Sequence, residues 1–131
     1  MAGGGRTVEG RWRIVETDVW DQEALDFVVP AHITLGPDGL GEMQLIAIGA
    51  SIDYRVNTTQ GGPLVRFSWS GFDDMDPSCG RGWAKVRGDA MRGKLFIHQG
   101  DESRFKAIRE VSGGRTSGSG KAERARRRTK P

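Results

Sequence analysis

Cysteine is almost missing from this chain: Cys79 stands alone, so no internal disulfide can staple the fold and nothing points to an oxidising compartment. Lying between Ser78 and Gly80, it reads as a turn residue rather than a nucleophile, because no basic partner is close in sequence. Histidine is nearly as scarce. With only His32 and His98, a three-histidine zinc site is excluded, and a two-histidine site would need distant carboxylates, so neither a metal nor a cofactor is expected. No apolar run approaches the ~20 residues of a membrane span, and Met1-Ala2-Gly3-Gly4-Gly5-Arg6 lacks the apolar stretch of a signal peptide. The expectation is a soluble cytoplasmic protein without membrane contact, monomeric or homodimeric.

What is present is turn chemistry and large apolar side chains. Glycine accounts for 20 of 131 residues, about twice the average usage, beside four Trp and five Phe. A chain of this length suits one domain with a modest core. Between Pro63 and Arg109, strand-like segments alternate apolar with polar residues: Leu64 to Trp69, Trp83 to Arg87, Met91 to His98, and Ser103 to Ile108. Gly88-Asp89 and Gly100-Asp101 join the last three so tightly that the neighbours must be antiparallel hairpin partners.

The first half supplies four more strands and a helix. Gly10 to Glu16 places Trp12 and Ile14 on one face, opposite Arg11 and Arg13. From Thr17 to Val28 the period changes: Trp20, Ala24, Leu25 and Val28 share a helical stripe, Asp18 is placed to cap it, and Pro30 ends it. Strands follow at Ala31 to Leu35, Gly41 to Ile48 and Ser51 to Thr58, the first two joined by the turn Gly36-Pro37-Asp38-Gly39. Eight sequential antiparallel strands most economically close on themselves, so the expected fold is all-β, an up-and-down barrel with one short helix after the first strand. A β-sandwich, or a half-open sheet wrapped on the helix, stays as the alternative.

Two resemblances accompany this reading. Gly10-Arg11-Trp12 resembles the Gly-X-Trp that opens the first strand of the calycins (lipocalins and avidins), whose tryptophan packs across the closed end of the barrel. Arg13-Ile14-Val15-Glu16, Trp20-Asp21, Phe67-Ser68-Trp69-Ser70-Gly71, Gly80-Arg81-Gly82-Trp83-Ala84 and His98 to Phe105 resemble the landmarks of a group of short bacterial proteins of uncharacterised activity. That second likeness spans roughly residues 10 to 109 and implies an independent domain with variable ends. It implies no activity.

Charge divides the chain. Residues 111 to 131 hold Arg115, Lys121, Arg124, Arg126, Arg127, Arg128 and Lys130 against Glu123 alone, while the remaining residues carry 13 basic and 16 acidic groups. The isoelectric point of 9.4 thus belongs to the tail, and the net charge of the body argues against a nucleic-acid surface there. From Ser112 onward no aromatic or large aliphatic residue appears, so the domain is expected over residues 10 to 111, with a flexible segment at 1 to 9 and a disordered basic tail at 112 to 131. Arg124, Arg126, Arg127 and Arg128 are the candidates for weak contact with nucleic acid through that tail. Gly118-Ser119-Gly120-Lys121 is not a P-loop, since the first glycine would fall at Arg115 and Ala122 replaces the hydroxyl residue.

Several clusters could hold chemistry. Asp73, Asp74 and Asp76 crowd a loop but lack the glycine and distant glutamate of a calcium site. Arg81 offers a bidentate charge, with a structural ion pair to that aspartate loop as its simpler role, and Trp83 offers an amphipathic face. His98 with Asp101, or with Glu16, supplies the parts of an acid/base pair, although a hairpin turn explains the same residues. The expected function is a small non-enzymatic domain binding a small molecule or protein at a rim formed by Arg81, Trp83, Asp73, Asp74, His98 and Asp101. The alternatives are a small barrel enzyme using His98, or an accessory protein that reaches nucleic acid through its tail.

Overall fold

Alternation along the chain becomes inside and outside in the folded molecule, whose computed structural model describes residues 8–110. The strands are β1 Gly10–Thr17, β2 His32–Leu35, β3 Leu40–Leu45, β4 Ile48–Thr59, β5 Gly62–Asp73, β6 Asp76–Arg87, β7 Ala90–Ile97 and β8 Glu102–Arg109, with one helix, α1 Gln22–Leu25. Each strand pairs antiparallel with the next and β8 returns to β1, closing an up-and-down barrel in which every strand has a neighbour on both sides. The closing seam runs Trp12 to Arg109 and Ile14 to Ala107, then slips at a bulge that sets Thr17 opposite Phe105.

The interior is a packed core. Inward side chains of large and small size meet across neighbouring strands: Trp69 lies opposite Gly80, Phe67 opposite Gly82 and Phe105 opposite Gly93. A β-carbon at Gly82 would sit 2.9 Å from Phe67 Cε2 and 2.7 Å from the Lys94 carbonyl oxygen, so glycine is what admits the ring. Ile14, Phe67, Trp69, Leu95 and Phe105 are buried as alternation predicts, and Ile97 packs half-buried against them. A void of about 10 Å³ among Ile14, Trp20, Met43 and Leu95 is scarcely room for one water.

At the opposite end Trp12 is wholly buried. Its Nε1 donates to the Val8 carbonyl at 2.9 Å and the Arg109 guanidinium lies 4.3 Å from its ring. Val8, which composition assigns to the flexible start, is thus part of the core, because one apolar side chain suffices to plug a barrel mouth. The tail at 112 to 131 and residues 1 to 7 lie outside the described residues.

Two sequence expectations are corrected. The helix is one turn, not three, and its cap is Asp21, whose Oδ1 accepts from the Ala24 N–H at 2.9 Å. Asp18 is instead drawn to β8, where its carboxylate accepts from Arg104 Nε at 2.9 Å, and Val28 is exposed. The segment between Trp69 and Trp83 is no long loop but the continuation of β5 and β6, so only Asp74 and Met75 form the turn and Cys79 lies in a strand. Its composition hides this, since Ser, Gly, Asp and Pro populate both turns and protruding two-stranded ribbons.

Candidate functional site

Strands β5 to β8 turn alternate residues outward, and register places those residues in cross-strand rows. One row runs Arg66, Trp83, Lys94, Arg104; the next runs Leu64, Lys85, Arg92, Lys106. Neighbours within a row stand ~4.8 Å apart along the hydrogen-bond direction, and the two rows are two residues apart along the strands. Lys85, Arg92 and Lys106 are therefore three like charges set directly opposite one another, an arrangement that destabilises a sheet. Among the described residues, Arg66, Arg81, Lys85, Arg87, Arg92 and Lys106 join no ion pair.

Trp83 stands in the middle of this wall with 40% of its surface exposed, a large value for a tryptophan on a strand. Beside it a groove of about 470 Å³ crosses from β6 to β1, bounded by Trp83, Lys85, Arg92, Arg104 and Lys106 and closed at the β1 end by Glu16 and Asp18. Glu16 stands opposite Lys106 in register without forming an ion pair. Arg104 is held by Asp18, and that hydrogen bond keeps the Asp18 carboxyl below its ordinary range. Lys94 is held by Glu102 at 3.2 Å, while Lys85 Nζ reaches the Thr59 hydroxyl at 3.1 Å.

The residues expected to share one rim fall in three places. Arg81, His98 and Asp101 line one shallow depression of about 310 Å³ beside the β7–β8 turn, together with Cys79 and Glu102. Trp83 faces the other groove. Asp73 and Asp74 sit at the tip of the β5–β6 hairpin, where the Asp74 N–H donates to the Ala47 carbonyl at 2.9 Å. Arg81 does not pair with that aspartate tip; its guanidinium lies 4.7 Å over the Phe96 ring, with Lys94 Nζ 5.5 Å from the same ring.

His98 is exposed, and among the described residues its ring makes no hydrogen bond to Asp101. Its backbone N–H donates across to the Cys79 carbonyl of β6 at 2.8 Å, and the turn beside it is closed by the Gly100 N–H on the Ile97 carbonyl at 2.8 Å. Glu16 lies in the groove with Trp83, apart from His98. Among the described residues no three His, Cys, Asp or Glu side chains converge as ligands for a metal ion. The other histidine, His32, is buried, with Nδ1 2.9 Å from the Pro30 carbonyl and Nε2 3.2 Å from a Glu42 carboxylate oxygen.

The members of the basic wall that sequence reasoning passed over are Arg66, Lys85, Arg92, Lys94, Arg104 and Lys106. The signal was there: each alternates with a buried residue on its strand. It gains meaning only when register lines the strands up.

No protein-family model matches the chain, and no curated protein does. Among solved structures, a Schistosoma mansoni fatty acid binding protein in complex with arachidonic acid is similar, with a TM-score of 0.45 and 13% identity. The match covers 83% of this chain and 100% of that one, and it carries no conclusion about what this chain binds.

Proposed function

We propose that this chain is a non-catalytic binding domain that takes a polyanion on the outer wall of β5 to β8. The observation that carries the reading is the Lys85, Arg92, Lys106 row: three cations opposed in register, none in an ion pair. Left alone, such a row costs stability, and an external anion turns the cost into binding. The inward side chains pack into one core, and the void among Ile14, Met43 and Leu95 is about 10 Å³, whereas the groove on the outer wall is about 470 Å³.

The test is titration of the full-length chain with inorganic polyphosphate, comparing it with Arg92→Gln/Lys106→Gln. To weaken the contribution of the tail equally in both, the two proteins also carry Arg124, Arg126, Arg127 and Arg128 replaced by serine. The double variant should bind about tenfold or more weakly, and its slope of log K against log salt should shrink by about 1.4. Equal affinity and equal slope would dismiss the wall as the site.

A second reading rests on the depression lined by Arg81, His98 and Asp101, which suits a small polar or anionic ligand at the rim. An Arg81→Ala/His98→Ala protein that keeps its fold and every measured affinity would remove it.

A further inference from the structure

Resting on that reading of the wall, we infer that the occupant is single-stranded nucleic acid, whose phosphates lie along the cationic rows while an unpaired base stacks on Trp83. Charge alone does not separate a polyphosphate from a nucleic acid. The tryptophan does. Polyphosphate has no use for an aromatic face, whereas every base presents a π-face that stacks on one.

Trp83 occupies the position where such a platform works. It is flanked in register by Arg66 on one side and Lys94 on the other, with Lys85 two residues along its own strand. Its exposed face opens on the 470 Å³ groove, so a base lying there has cations on both sides for the flanking phosphates. Phe96, half-buried under Arg81 and Lys94, adds a second ring to the same wall. A duplex fits this surface less well, because its base faces are stacked inside the helix and only phosphates would meet the wall. Acids border this wall only at its β1 end and on β8, where Glu16 and Asp18 close the groove and Glu102 holds Lys94; Asp21, Glu23 and Asp26 lie around α1, and Asp73, Asp74 and Asp76 at the hairpin tip.

The experiment measures fluorescence anisotropy of labelled 12-nucleotide oligothymidylate and oligouridylate, a 12-base-pair duplex, and competition by polyphosphate. The full-length chain with the four tail arginines changed to serine is used in three forms: otherwise native, Trp83→Ala and Trp83→Phe. Trp83 points outward, so thermal melting should show all three folded alike. The single strands should bind at least fivefold tighter than the duplex. Trp83→Ala should weaken the single strands about tenfold or more and leave polyphosphate unchanged, while Trp83→Phe should restore most of the loss. The ratio of thymidylate to uridylate affinity reports whether DNA or RNA is preferred. If Trp83→Ala changes nothing, or if the duplex binds as tightly as the single strands, the inference is overturned while the polyanion reading stands on its polyphosphate result. If no polyanion binds the native wall, both fall.

Discussion

At the scale of single residues, burial and close approach decide which substitutions matter. Phe67 is 6% exposed, and its ring lies against Gly82. Truncation to alanine should cost about 3 to 5 kcal/mol in urea denaturation, and a loss below about 1 kcal/mol would mean that the ring does not fill the core. Gly82→Ala tests the same contact from the other side. Its methyl would press on Phe67 and on the Lys94 carbonyl, so about 1 to 3 kcal/mol should be lost through overpacking. Trp69 Nε1 is buried in the core with no protein hydrogen-bond partner among the described residues.

At the scale of elements, the connection from β1 to β2 is tied down by one carboxylate. Asp26 takes a bidentate pair from Arg13, at 2.9 and 2.8 Å, and also accepts from the Ala31 N–H at 2.8 Å and from Gln22 Nε2 at 3.1 Å. Burial pushes its carboxyl up, but the hydrogen bonds from Arg13, Ala31 and Gln22 outweigh burial and hold it below the ordinary range. A folded pKa beneath the unfolded one gives stability that is present above about pH 4 and is lost as pH falls through the folded value. Thermal melting between pH 6 and 2 should therefore show an acid limb that Asp26→Asn flattens. An identical limb in the variant would assign acid sensitivity to other carboxylates.

The same connection shows how an element escapes a sequence reading. Trp20, Ala24, Leu25 and Val28 have helical spacing, yet only Leu25 is buried, and the helix lasts one turn. Thr17 still belongs to β1 and the Asp18 carboxylate bonds to Arg104, so residues counted into the helix are held by the bulged seam with β8. Tertiary pairing overrides local period there.

At the scale of the whole molecule, net charge and charge placement tell different stories. Thirteen bases against sixteen acids make residues 1 to 110 slightly acidic, which speaks against a nucleic-acid surface. The barrel sorts those charges. Eight of the bases face outward on β5 to β8, while most acids lie at α1, the hairpin tip and the turns. Arg92→Gln/Lys106→Gln should accordingly melt at the same temperature as the native chain or slightly above it, because it relieves opposed like charges while weakening polyanion binding. A clear fall in melting temperature would mean that these side chains serve the fold.

The basic tail supplies the contrasting case. Replacing Arg124, Arg126, Arg127 and Arg128 with serine should lower polyanion affinity uniformly and leave the effect of Trp83→Ala untouched, since the tail brings charge and no aromatic platform. Coupling between the two changes would join tail and wall in a single site.

Alternation and turn residues by themselves determined the strand count, the antiparallel order and most of the core, since a period of two admits one inward face and short glycine-bearing turns leave a strand no neighbour but the next. Ile14, Phe67, Trp69 and Phe105 were legible for that reason. Only the tertiary structure decided that the interior is full, because that depends on Gly80, Gly82 and Gly93 standing opposite Trp69, Phe67 and Phe105. It alone separated Trp83 from His98, residues that sequence places near each other but that open on different grooves. It also decided the basic wall, since Arg66, Lys94 and Arg104 lie far apart in the chain and meet only through register, a long-range property that no local window contains.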